Sequence, residues 1–153
     1  MTSTFLDGLS TLLVTQKPKQ AALGDEPYLV ELAREFHQYS PWRDTTFDEQ
    51  AVYGLAVHLI GQGGVFFTDT GFIAGLLVPL HFDPSTIVAT EVAWYAPDGG
   101  GRELRDAFED WAREQGATMV QFSALGDEHL DQVHNNFLKN GFHLAELQYV
   151  KRL

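Results

Sequence analysis

Between Gly64 and Pro97 three apolar runs, GVFFTDT, GFIAGLLVPLHF and STIVATEVAWYAP, follow one another with only short turns such as Asp69-Thr70-Gly71 between them. Runs this rich in β-branched and aromatic residues predict three strands joined as an antiparallel meander. Helical periodicity flanks them on both sides. Upstream, PYLVELAREFHQYS puts Leu29, Leu32, Ala33 and Phe36 at helical spacing, with Asp25 and Glu26 ahead of a Pro27 suited to a first turn. Ser40-Pro41-Trp42 ends that helix, and Thr46-Phe47-Asp48-Glu49 has the pattern of a capping box opening a second helix that runs to about Ile60. Downstream, Leu104, Ala107, Phe108, Trp111 and Ala112 form the apolar stripe of a third helix, stopped by Gly116. ATMVQFSAL then predicts a strand. DEHLDQVHNNFLKNG predicts a fourth helix with Leu130, Val133 and Phe137 inward, closed by Asn140-Gly141, and FHLAELQYVKRL a final strand.

The implied architecture is α/β of the α+β kind: a mixed, mostly antiparallel sheet flanked by four helices. No repeat, low-complexity tract or linker divides it. Residues 23–153 are expected to form a single domain, and residues 1–22 an N-terminal appendage or first strand. With 153 residues, 44% of them hydrophobic, and eleven Phe, one substantial core is within reach. The formal charge of −11 repels nucleic acid phosphates and anionic membranes while attracting cations. No cysteine is present, which excludes thiol nucleophiles, disulfides and Cys-ligated metals and fits a reducing, cytoplasmic setting. The N-terminal MTSTFLDGLSTLLVTQKPK has neither a signal-peptide pattern nor a membrane-spanning run. His129 and His134 lie five apart on one helix, a poor spacing for a shared metal, and no HExxH occurs, so no metal is expected.

Gly99, Gly100 and Gly101 stand between the end of a buried strand, EVAWYAP, and the start of a well-patterned helix. A flexible turn is one reading. The other is an anion site: helix amides without partners converge there with the positive end of the dipole, and glycines leave no Cβ in a phosphate's way.

The run TEVAWYAP-DGGGREL-RDAFEDWAREQGA, followed by a strand and NNFLKNGF, resembles the GNAT superfamily of acyl-coenzyme A dependent N-acyltransferases, the small bacterial and phage-borne members in particular. The likeness covers roughly residues 25 to 153. It implies acetyl-CoA as co-substrate and a loop R/Q-x-x-G-x-G/A that cradles the pyrophosphate, with Gly99, Gly100 and Gly101 as its glycine portion and Arg102, Glu103 and Leu104 after it. Ala96 occupies the place of the leading Arg or Gln. Trp94, Tyr95 and Ala96 match the strand whose backbone polarises the thioester carbonyl and pairs with the pantetheine arm.

Amide formation needs a base to take a proton from the arriving ammonium. Glu91, inside TIVATEVAWYA, has that role by resemblance; alternatively it lies on a solvated face or pairs with an arginine. Phe137 replaces the Tyr with which many family members protonate the departing thiolate, which leaves Tyr149, Ser123 or a water as substitutes. His81, in PLHFDP, is a substrate-side residue by resemblance or a plain turn histidine. His37, Tyr39 and Trp42 flank the acceptor in the same comparison, unless Trp42 is a core anchor. Asn135 and Asn136 are either ligands of the coenzyme's arm or ordinary helix-end asparagines. The expected activity is transfer of an acetyl group to a primary amine of a small molecule or peptide, with a cationic acceptor favoured by the net charge, by a monomer or homodimer without nucleic acid or membrane partners. The alternative is a catalytically silent binding module or acyl-CoA sensor of the same fold.

Overall fold

The computed structural model describes residues 17–153 and divides the chain into two compact units, one ending at Phe122 and one covering Ser123–Leu153. The first contains β1 (Lys19–Gln20), α1 (Glu26–Tyr39), α2 (Glu49–Gln62), β2 (Val65–Phe67), β3 (Phe72–Leu80), β4 (Asp83–Tyr95), α3 (Gly101–Glu114) and β5 (Met119–Gln121). The apolar run 9–16 lies outside the described residues. Part of the segment expected as appendage or first strand is β1, which pairs Lys19 with Phe67 and Gln20 with Phe66.

The strands lie in chain order. β1 to β4 are antiparallel neighbours and β5 runs parallel to β4, the mixed sheet expected. Because successive strand side chains point to opposite faces, Phe72 and Ala74 enter one core with Leu29 and Leu32 of α1 and Leu59 and Ile60 of α2. Ile73 enters the other, with Leu104, Phe108 and Trp111 of α3. Helices covering both faces explain why FIAGLLV is apolar throughout rather than alternating.

Gly75 sets how closely α3 approaches. A Cβ there would lie 2.5 Å from Phe108 Cζ and 2.5 Å from the Thr90 carbonyl oxygen. Gly75→Ala is therefore expected to destabilise the protein by about 1–3 kcal/mol through overpacking. Thermal unfolding should show a Tm lower by roughly 2–4 °C per kcal/mol; an unchanged Tm would mean that helix and sheet are not in such contact.

α1 begins with a proline in its first turn and ends at Ser40, whose hydroxyl donates to the His37 carbonyl at 2.9 Å and accepts from the Trp42 amide at 3.1 Å. The capping box expected at Thr46 is corrected by two residues. Asp48 is the N-cap of α2, accepting from the Ala51 amide at 3.0 Å, while Glu49 reaches Arg34 of α1 at 2.7 Å. A shorter carboxylate beside the first turn does the capping, and the tertiary partner takes the longer one. α2 closes on Gly63 at φ 84, and Gly116, also at φ 84, follows α3 as expected.

In the second unit α4 spans Leu130–Lys139, and Gly141 at φ 84 follows it. None of its residues is fully buried: Val133 and Phe137 are half-buried, and Leu130, expected inward, is exposed. Phe137 packs edge-on against Phe142 at 5.0 Å. The closing strand expected in FHLAELQYVKRL is absent among the described residues, and Leu144, Leu147, Tyr149 and Val150 are exposed. Apolar and aromatic composition alone does not hold a strand; a ladder with a neighbour does.

Candidate functional site

β4 carries the site because it outruns its parallel neighbour. The β4–β5 ladder comprises Val88, Ala89 and Thr90 opposite Met119, Val120 and Gln121. Beyond it β4 continues through Tyr95, and no strand pairs with that edge among the described residues. The β3 partner steps from Ala93 to Glu91, leaving Val92 as an extra, 43% exposed residue, a β-bulge that re-aims the chain. Glu91 is half-buried and is the first residue past the fork.

The turn after β4 is held from behind and open in front. Behind it, a Cβ on Gly71 of the β2–β3 turn would lie 2.5 Å from the Tyr95 carbonyl oxygen and 3.2 Å from Ala96 Cα, so only glycine lets the two turns touch. Gly101 lies over Trp94, whose Cζ2 would be 3.4 Å from an added Cβ. In front, Gly99 at φ 83 faces nothing within 4 Å, and Gly100 at φ 78 faces only the Glu103 carboxylate at 4.0 Å. Two successive left-handed residues curl the main chain, and Gly100 caps α3 by accepting from the Leu104 amide at 3.1 Å. Helix geometry leaves the amides of Gly101, Arg102 and Glu103 without intrahelical partners. Arg102, 79% exposed, makes a surface ion pair with Asp106 at 3.8 Å. In front, the glycine triplet leaves an uncluttered cradle of amides.

Aromatic side chains border the other side of the strand end. Tyr95 packs against Phe36 at 5.5 Å and stacks with Tyr39 at 6.4 Å and 16° between planes. Burial, then the charges of Glu35, the Tyr39 hydroxyl and Asp98, hold the Tyr95 phenol above its ordinary pKa, so it stays protonated at neutral pH.

Of the residues singled out in the sequence, Glu91, Trp94, Tyr95, Ala96 and Gly99 through Leu104 form one continuous stretch at the end of β4 and the start of α3, with Tyr39 stacked beside it. His37 is engaged with Thr45 Oγ1 at 3.2 Å and the Phe47 ring. Trp42 is 51% exposed and is no core anchor. His81 is an exposed residue of the β3–β4 turn, its ring tilted against Phe82 with centroids 4.0 Å apart. At about 3.3 Å per residue it lies on the order of 25 Å along β4 from Glu91, so it does not join this group. Asn136, Phe137 and Tyr149 belong to the second unit. Sequence reasoning missed Gly71, Gly75 and the Val92 bulge; an isolated glycine in a strand pattern such as FIAGLLV is the available signal for close approach.

Among the described residues no cluster of three or more His, Cys, Asp or Glu side chains could hold a metal, and no helix is long and apolar enough to cross a membrane. No protein-family model matches the sequence, and no curated protein does. Solved structures do match. A candidate acetyltransferase from Arthrobacter sp. FB24 aligns at TM-score 0.69 and 17% identity over 91% of this chain and 97% of that one. AAC(6')-Iy in complex with the bisubstrate analog CoA-S-monomethyl-acetylneamine aligns at TM-score 0.65 and 14% identity over 90% and 99%. An aminoglycoside acetyltransferase, HMB0005, from an uncultured soil metagenomic sample aligns at TM-score 0.64 and 9% identity over 91% and 99%. At such identities the likeness is one of fold: this chain has the GNAT-type acetyltransferase fold.

Proposed function

From that fold, we propose that the protein is an acetyl-CoA-dependent N-acetyltransferase acting on a primary amine. The observation that carries the reading is the pair of left-handed glycines, Gly99 and Gly100, curled in front of the free amides of α3 with open space before them. The coenzyme's diphosphate seats on those amides and on Arg102, where the helix dipole favours negative charge. Its pantetheine arm runs beside the end of β4 at Trp94 and Tyr95 and the following Ala96, as an extended chain lies along a sheet edge.

The acetyl group then lies near Glu91. The carboxylate removes a proton from the acceptor ammonium, directly or through water, and the neutral amine attacks the thioester carbon. The N–C bond forms, the C–S bond breaks, and coenzyme A leaves. A thiol of pKa about 8.5 departs as thiolate near neutral pH without a proton donor, so the phenyl ring of Phe137 is no obstacle to turnover. An amino sugar is one acceptor class, supported by the aminoglycoside chemistry in the names of two structures of this fold. Isothermal titration with acetyl-CoA, followed by thiol release over a panel of amines, tests the reading: saturable binding and amine-dependent release support it, and no binding at millimolar coenzyme overturns it. A catalytically silent module is the second reading, motivated by Phe137 and by Ala96 at the position of the family's Arg or Gln; binding with background release over the whole panel would favour its sensor form.

The Glu103 side chain works against the same cradle. Its carboxylate stands 4.0 Å from the Gly100 Cβ position, where a phosphate would feel it. Glu103→Gln is expected to tighten acetyl-CoA binding about fivefold, since two unit charges about 4 Å apart in water interact by about 1 kcal/mol. Unchanged affinity in low salt would place the diphosphate elsewhere.

A further inference from the structure

We infer that Tyr28 is a positioning residue of the coenzyme site: acting through the β2–β3 turn, residues 68–71, it fixes the place of the amide cradle at the start of α3. This rests on the acetyl-transfer reading for what the cradle holds and adds what keeps the cradle in place. Gly71, which is buried, is where the contacts converge. A Cβ there would lie 2.5 Å from the Tyr95 carbonyl oxygen, 3.2 Å from Ala96 Cα and 3.4 Å from Leu104 Cδ1. The turn therefore backs the last residue of β4, the residue after it and the first turn of α3 at once. Residues 97–100 are exposed, so the support behind them decides where their amides point.

Such a support works only if it is itself held. The Thr68 amide donates to the Gly71 carbonyl at 2.9 Å, and Thr68 Oγ1 accepts from the Gly71 amide at 3.1 Å and the Thr70 amide at 3.4 Å, a side-chain closure of the turn. From α1 the Tyr28 ring tilts against Phe67 at 5.7 Å, and its hydroxyl donates to the Asp69 carbonyl. That end of α1 is pinned in turn. The Ala22 amide donates to Asp25 at 2.9 Å and the Gly24 amide to Glu26 at 2.7 Å, while the Ala21 amide reaches the Val65 carbonyl of β2 at 2.9 Å. A chain of contacts thus runs from the start of α1 through Asp69 and Gly71 to Ala96 and the cradle.

A hydroxyl that served general stability alone would leave coenzyme affinity untouched when removed. Asp69 is exposed, so water takes over its carbonyl in Tyr28→Phe and the fold loses little. What goes is the fixed position of the turn. A cradle that shifts must be ordered by its ligand, and affinity falls accordingly.

Tyr28→Phe, Thr68→Val and Thr68→Ser are the test variants. Tyr28→Phe should weaken acetyl-CoA binding by about three- to tenfold in calorimetry and raise the coenzyme KM by the same factor, with kcat within about twofold of wild type. Thr68→Val should do the same, and Thr68→Ser, which keeps the hydroxyl, should restore wild-type affinity. Amide hydrogen exchange without coenzyme supplies an internal comparison. The Leu104 amide bonds the Gly100 carbonyl at 3.1 Å and the Val52 amide bonds the Asp48 carbonyl at 3.0 Å, each closing the first turn of its helix. In Tyr28→Phe, exchange at Leu104 should be at least about threefold faster and exchange at Val52 unchanged. Wild-type coenzyme affinity in Tyr28→Phe, or equal acceleration at both amides, overturns the inference and leaves acetyl transfer standing. Acceleration confined to Leu104 in a protein whose wild type binds no acetyl-CoA would keep the support and remove the coenzyme.

Discussion

Glu91→Gln is expected to lower kcat for amine acetylation by about 10²- to 10⁴-fold, the range over which a positioned general base contributes, with acetyl-CoA affinity within about twofold of the wild type. The amide keeps the shape of the carboxylate and loses only its ability to accept a proton. The variant's pH profile should be flatter than that of the wild type, its residual rate following only the acceptor amine. Affinity is preserved because Glu91 lies at the fork of β4 and β5, four residues before the strand ends at Tyr95 and well short of the glycine turn. Kinetics within about threefold of wild type would remove Glu91 from the chemistry and leave proton transfer to water.

Gly100→Asp should have the second large effect, a loss of acetyl-CoA affinity of at least about 30-fold, or about 2 kcal/mol. Two causes add. A non-glycine residue at φ 78 strains the turn, by roughly 1–2 kcal/mol for most side chains and less for Asp or Asn. The new carboxylate also stands beside Glu103 in the space a diphosphate would occupy. Gly100→Asn separates them, having the same shape without the charge. The Asp variant is expected to bind at least about fivefold more weakly than Asn, and the gap should narrow in high salt as screening shortens the reach of the charge. Equal affinities for both would mean that no anion approaches this turn.

How much of this was legible beforehand differs element by element. The meander was plain in GVFFTDT, GFIAGLLVPLHF and STIVATEVAWYAP because these runs are rich in β-branched and aromatic residues and the turns are short, so composition and spacing agree. The start of α3 was legible from three glycines ahead of a strongly periodic helix, and Gly99 and Gly100 do adopt positive φ, a conformation that a plain turn and an anion cradle share. The cap of α2 was misplaced because Thr46 and Asp48 are both good caps, and the choice depends on the direction from which the chain arrives. The final strand was misread for a more general reason. The apolar and aromatic residues of LAELQYVKRL suit a ladder without supplying the neighbouring edge. His81 looked plausible beside the site residues in sequence, yet a 13-residue strand carries its two ends far apart. Gly71 and Gly75 were silent because a glycine's importance lies in what crowds against it, the Tyr95 carbonyl and the Phe108 ring here.

Backbone amide resonances followed during a titration with acetyl-CoA test the account most directly, since every step rests on main-chain nitrogens at the start of α3. The expected result is saturable shifts centred on Gly99, Gly100, Gly101, Arg102 and Glu103, extending down β4 through Trp94 toward Glu91. Saturable shifts that leave those five amides unmoved would contradict it.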